Sequence, residues 1–181
     1  MSGSFTGRVA AAWTNPARSW RAEASRGLRE GRLLALAFGA TLFLTLGRVG
    51  AEIALPQIAS GEARTAWIAA TVFTGFSFGV LALYGVAALT RLVCRLFRGD
   101  GGWAESRLAL FWSGLAAGPA AAALHIIGAL AGFPAVGGGA ASLVWAVLFA
   151  PMLAAAHGFA AWRVYAAFAV IAAAVTAYIS I

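Results

Sequence analysis

The sequence predicts an all-α integral membrane protein, a bundle of five transmembrane helices preceded by a basic amphipathic N-terminal helix. Hydrophobic residues make up 62% of the 181 residues and charged residues 10%, whereas about 25% of the residues in soluble domains are charged. Several uncharged runs approach or exceed the roughly 20 residues that cross a bilayer. This composition excludes a soluble enzyme and a disordered chain, and the single cysteine excludes a disulfide-rich secreted domain.

Residues 1–32 are predicted to form a cytoplasmic, basic amphipathic segment with six arginines and two glutamates. Asn15-Pro16 is a typical helix start, and small or apolar residues follow at helical spacing as far as Gly31. The first apolar run begins at Leu33, which is too late for a cleaved signal peptide. We expect the segment to lie on the membrane face, the alternative being a solvated helix. Its anchors would be Trp13, Arg18, Trp20, Arg21 and Arg29.

Residues 33–181 are predicted to form the five-helix transmembrane domain. The run of 42 residues from 140 to 181 contains one charge, Arg163. As a single helix it would reach about 63 Å, twice the thickness of the bilayer core, so we expect a turn at 157–163. An uncharged FPAVGGG loop is expected before the fourth span. The predicted spans are about 33–53, 66–90, 108–132, 140–158 and 162–181.

The orientation follows from the basic residues, all thirteen of which are arginine. With five spans, eleven of them fall on one side of the membrane, and the positive-inside rule makes that side cytoplasmic. We therefore expect a bacterial cytoplasmic membrane protein with its N-terminus inside and its C-terminus outside. The sequence pI near 11.3 then indicates anionic lipid as a partner and not nucleic acid. Further anchors on this side are Arg91, Arg95, Arg98, Trp162 and Arg163.

Glycines spaced four residues apart predict close packing between helices. The pairs are Gly75 with Gly79 and Gly114 with Gly118, and small residues at this spacing let two helix backbones approach each other. We favour packing within one chain over a homodimer interface.

Two prolines lie inside the third and fourth predicted spans, Pro119 and Pro151. Each removes one amide donor and leaves the carbonyl one turn earlier, near Leu115 and Val147, without its helical partner. Structural kinks are the favoured interpretation. Because transporters build binding sites from broken helices, a transporter or channel stays open as the alternative.

Few side chains in the predicted spans could carry out chemistry. His125 is a candidate intramembrane polar site, and a neutral, hydrogen-bonded histidine is favoured over a proton relay because no carboxylate lies near it in sequence. His157 is expected to be interfacial, and Cys94 to be a buried thiol. Their spacing matches no metal site, and no catalytic constellation is recognisable. We therefore expect no enzyme activity and no cofactor.

Four segments resemble the Yip (Ypt-interacting protein) family in its short bacterial branch: NPARSW, EGRLLALAF, LALYGVAALTRLVCRLF and ESRLALFWSGLAAGP. The resemblance spans nearly the whole chain and implies a five-pass membrane protein. Eukaryotic family members are adaptors for Rab-type GTPases, but their acidic and aromatic motif ahead of the first span is replaced here by arginines. The resemblance carries over no catalytic residue. It implies an accessory or scaffold protein that binds other membrane proteins or itself.

Overall fold

The computed structural model describes residues 4–56 and 61–179, with side chains given to residue 170 and at 173. These residues form helices, turns and loops, and no β-strand occurs among them. The helices are α1 Phe5–Thr14, α2 Pro16–Ala24, α3 Glu30–Ala54, α4 Glu62–Leu96, α5 Trp103–Leu130, α6 Pro134–His157 and α7 Ala161–Ile179.

Four of these helices, α3 to α6, are long and apolar enough to cross a membrane. They correspond to the first four predicted spans. The all-helical class is therefore confirmed, and the four apolar helices indicate a multi-pass membrane protein. Helix α7 occupies the position of the fifth predicted span, and its crossing of the membrane stays a prediction. The prediction of an FPAVGGG loop is wrong, because Pro134 occupies the first turn of α6 and the glycines that follow it are helical.

Helix α5 is the centre of the bundle, with every residue from 108 to 118 buried. It packs mainly against α3 on one side and α6 on the other. The four predicted packing glycines lie at helix contacts within the chain. Gly75 and Gly79 face Thr45 and Thr41 of α3, while Gly114 and Gly118 face Ala40 and Phe43 of the same helix.

The carbonyl freed by Pro151 is covered by another segment, and a tryptophan of α1 binds the backbone beside Pro119. Pro151 lies inside α6, and the Val147 carbonyl accepts a hydrogen bond of 2.8 Å from the Tyr165 hydroxyl of α7. Pro119 lies inside α5, where the indole nitrogen of Trp13 donates to the Ala116 carbonyl over 3.2 Å. The carbonyl predicted to be freed by Pro151 is therefore used to dock the last helix onto the bundle.

The N-terminal segment forms two short helices and not the single helix expected to reach Gly31. Asn15 caps α2 as predicted, its side chain accepting from the Arg18 amide over 3.0 Å. The chain then turns at Gly27, whose φ of +92° is favourable for glycine. Helix α2 packs against α6 and α5, and Trp20 is only 8% exposed. Trp20 is therefore a core residue and cannot reach lipid headgroups.

A buried carboxylate ties this segment to α3. Glu23 is 2% exposed and receives two hydrogen bonds of 3.0 and 3.1 Å from Arg8. Arg32, in the first turn of α3, donates to the same carboxylate and also to the backbone carbonyls of Glu23 and Gly27. Arg26 lies 3.7 Å from the carboxylate. We call these four residues, Glu23, Arg8, Arg26 and Arg32, the Glu23 cluster.

The tightest backbone contact between α5 and α6 gives a first test of the fold. A Cβ added to Gly137 would lie 2.6 Å from the Leu124 carbonyl oxygen and 2.9 Å from the Gly128 Cα, whereas one at Gly139 meets nothing within 4 Å. We expect Gly137→Ala to destabilise the protein by about 1–3 kcal/mol through overpacking. Gly139→Ala should be neutral or stabilising by up to about 1 kcal/mol, because alanine is the better helix former.

The measurement is unfolding in SDS–dodecylmaltoside mixed micelles, followed by far-UV circular dichroism. Equal stability of the Gly137→Ala and Gly139→Ala variants would contradict the close approach of the two helices.

Candidate functional site

At the end of the bundle that carries most of the arginines, the loop between α4 and α5 packs against the end of α6. The loop after α4 folds back so that the Gly99 amide donates to the Cys94 carbonyl over 2.8 Å. The Asp100 amide donates to the His157 carbonyl at the end of α6 over 3.3 Å. A side chain at Gly101 would overlap the Ala156 carbonyl and the His157 ring. The GDGG sequence is therefore a packed turn, and glycine at 101 is needed for the close approach.

His157 is the central side chain of this turn. It is 1% exposed, and its Nε2 lies 2.9 Å from the Ser106 hydroxyl. The Ser106 hydroxyl donates its single hydrogen to the Gly102 carbonyl over 3.0 Å. With the Ser106 hydrogen directed at Gly102, His157 Nε2 is assigned the proton and donates to Ser106, and Nδ1 is then an unprotonated acceptor. This Nδ1 has no hydrogen-bond partner among the described residues.

Helix α4 extends past the end of α3 at this side of the bundle. The Tyr84 hydroxyl donates over 2.6 Å to Glu30, the first residue of α3, and Arg107 pairs with the same carboxylate at 2.6 Å. The remaining residues of α4, 85–96, add about 18 Å of helix beyond that level. This extension carries Arg91 and Arg95, and Cys94 is buried within it.

A groove of about 450 Å³ lies beside this extension. Helices α4 and α7 form its walls and α6 its floor, and we call it the α4–α7 groove. Its lining is mostly apolar, and Arg163 is the charged side chain among the lining residues, which also include Thr90 and Cys94. The Arg163 guanidinium lies 5.6 Å from the ring centre of Trp162. The lining residues used below are Leu89, Phe97, Phe149, Phe159, Arg163 and Phe168.

A second, smaller cavity lies beside the two proline-containing helices. It has a volume of about 100 Å³, and its polar side chains are His125, Ser142 and Trp145. The Trp145 indole donates over 3.0 Å to Ser113, and the Ser142 hydroxyl donates over 3.0 Å to a backbone carbonyl of its own helix. Glycines and alanines form much of the remaining wall. His125 thus borders a small cavity, as a candidate intramembrane polar site would.

The predicted anchor residues do not form one surface. Arg18, Arg21 and Arg29 are exposed on or beside α2, and Arg95 and Arg98 are exposed at the end of α4. Trp162 is 67% exposed at the start of α7. Two other predicted anchors are engaged with the protein: Trp13 is hydrogen-bonded to α5, and Arg91 has two buried guanidinium nitrogens that find no partner among the described residues.

The buried position of His157 and the α4–α7 groove were not predicted from the sequence. His157 was expected at the interface because it precedes a turn, yet three alanines before it already indicated a buried helix end. The groove joins residues from three helices, and no local pattern reports it. Within the described part of the chain, no group of three or more His, Cys, Asp or Glu side chains could hold a metal ion.

Comparison with known proteins adds no relative to these observations. No protein-family model matches the chain, and neither a curated protein nor a solved structure shows a significant match. The resemblance to the Yip family therefore stays a prediction.

Proposed function

We propose that this protein is a non-enzymatic accessory or scaffold protein of a bacterial cytoplasmic membrane, which binds other membrane proteins or itself and contacts anionic lipid through its arginine-rich end. In this proposal α7 is a fifth span, the N-terminus is cytoplasmic and the C-terminus is outside. The proposal keeps the Yip resemblance as its family, without the GTPase-adaptor role.

The observation that carries the proposal is the size of the cavity beside the proline-containing helices. Its volume of about 100 Å³ is well below the roughly 300–1,000 Å³ of small-molecule sites. The carbonyl that Pro151 frees at Val147 is occupied by the Tyr165 hydroxyl, so it is not offered to a solute. These features support packing as the role of the kinked helices, in contrast to the transporter alternative.

The exposed surface of α4 also supports a binding role. In the most apolar window of α4, 17% of residues are buried, compared with 56% in that of α5. Phe73, Phe78 and Leu81 are at least 60% exposed on this helix. In a membrane this surface is available to lipid or to the helices of a partner.

The two functions are separated by cross-linking and by flux measurements on the same protein. After cross-linking in native membranes and purification in a mild detergent, we expect one discrete species heavier than the 18.5 kDa monomer. Proteoliposomes containing the purified protein should show no ion or proton flux above protein-free liposomes.

A monomer in every detergent, together with flux that is lost in His125→Ala, would contradict the scaffold function. The variant is informative because His125 borders the cavity that a transport pathway would use.

A further inference from the structure

The α4–α7 groove has the same polarity along both of its walls. On α7, Arg163 lies at the start of the helix and Phe168 lies five residues further along. On α4, Phe97 lies at the loop end and Leu89 at the opposite end of the lining segment. The charged end of the α7 wall thus lies beside the arginine-rich loop that follows α4, and the opposite end of the groove, at Leu89 and Phe168, carries no charge.

The positive charge at the open end favours an anion. Arg163 lines the groove, and Arg95 and Arg98 are exposed on the adjoining end of α4. The nearby acidic residues are Asp100 in the loop and Glu105 in the first turn of α5. Arginines therefore outnumber carboxylates around the entrance. Basic pockets between helices on the cytoplasmic side of a membrane are typical binding sites for anionic lipid headgroups.

The side chains that line the groove favour a flexible chain over a helix. Membrane helices associate through small residues that let backbones approach, and this protein places many of its glycines in the contacts among α3, α4, α5 and α6. The groove is instead lined by bulky side chains, Phe149 and Phe168 among them, whose rings stack at 5.8 Å. Its volume of about 450 Å³ is within the range of roughly 300–1,000 Å³ typical of ligand sites.

We propose that the α4–α7 groove is a binding site for an anionic glycerophospholipid, with an acyl chain between α4 and α7 and the phosphate at Arg163. This inference rests on the proposed membrane function and adds the class and location of one bound lipid. A lipid in this position would fill the gap between α4, which packs against α3 and α5, and α7, which packs against α6. It would therefore link α7 to the rest of the bundle.

The test uses the full chain in detergent and measures retention of one lipid by native mass spectrometry. The probes are dioleoylphosphatidylglycerol, which is anionic, and dioleoylphosphatidylcholine, which is zwitterionic. We expect Arg163→Gln to weaken retention of phosphatidylglycerol about fivefold and to weaken retention of phosphatidylcholine less, because the choline charge offsets that of its phosphate. The matched control is Arg18→Gln, which removes the same charge from an exposed residue of α2 that does not line the groove.

A second pair of variants tests the apolar part of the site. Ala167 and its neighbour Ala166 are both exposed, but only Ala167 lines the groove. Ala167→Trp should fill the groove and weaken retention of both lipids about tenfold, and Ala166→Trp should retain them as the unchanged protein does.

Three results would overturn the proposal. The first is an equal loss of lipid retention in the two members of either pair, and the second is removal of the lipid from all variants at the same detergent concentration. The third is a dimer that Ala167→Trp converts to a monomer. The last result would show that a second copy occupies the groove. Failure of lipid binding would leave the cross-linking result for the proposed function untouched, so the two can fail separately.

Discussion

Glu23→Gln should release the N-terminal helices from the bundle and destabilise the protein by about 3–5 kcal/mol, the usual cost of removing one partner from a buried ion pair. The carboxylate is 2% exposed and is contacted by Arg8, Arg26 and Arg32. Without its charge, the partly buried guanidinium groups of Arg8 and Arg32 would remain uncompensated. Because Arg32 belongs to α3 and Arg8 to α1, one substitution loosens both attachments.

The measurement combines unfolding in mixed micelles with limited trypsin digestion of the folded protein. We expect faster cleavage after Arg26 and Arg29, in the connection between α2 and α3, because the helices on either side would no longer be held together. Glu62→Gln is the matched control, since Glu62 is exposed in the first turn of α4. Identical digestion and stability of the two variants would show that the Glu23 cluster does not hold the segment.

The transmembrane helices were predictable from sequence because their length and apolar composition are local properties. Helices α3 to α6 begin within about six residues of the predicted spans, and the turn that separates α6 from α7 lies where one continuous helix would have been too long. The free carbonyl at Val147 was also predictable from sequence, because Pro151 always removes the hydrogen bond to the residue four positions before it.

The placement of the N-terminal segment was not predictable in this way. Its composition is typical of a helix on a membrane surface, and Trp20 has the character of an interfacial residue. The observed burial depends on partners distant in sequence: the Ser19 hydroxyl accepts a hydrogen bond of 3.0 Å from the Trp112 indole, and Arg32 reaches back to Glu23. A glutamate within an arginine-rich segment was the one available signal of a buried ion cluster.

For the α4–α7 groove, only the positive charge at its end was predictable from the sequence. Arg163 and the arginines of the α4 end were expected at one side of the membrane, and they lie together at one end of the bundle. The groove itself depends on how α7 packs against α6, which in turn depends on Tyr165 and Phe168 meeting Val147 and Phe149. Contacts of this kind, between residues of different helices, cannot be predicted from a local pattern in one sequence.

The second large effect is expected at the junction of α5 and α6, where His157→Ala should cost about 3–5 kcal/mol. The substitution leaves a cavity at a residue that is 1% exposed and removes the hydrogen bond to Ser106. It also removes the ring that stacks on Phe159 at 5.9 Å. The same substitution at His125, which is only partly buried, should cost less because the surroundings of that ring can relax.

A double-mutant cycle isolates the contribution of the Ser106–His157 hydrogen bond from the contribution of ring packing. Ser106→Ala, His157→Ala and the double variant should give a coupling energy of about 1–2 kcal/mol, measured by unfolding in mixed micelles. Because Ser106 donates its only hydrogen to Gly102, the bond requires a proton on His157 Nε2. A coupling near zero would mean that His157 contributes through packing alone. A clear coupling means that this hydrogen bond joins the first turn of α5 to the end of α6, and thereby fixes the loop next to the α4–α7 groove.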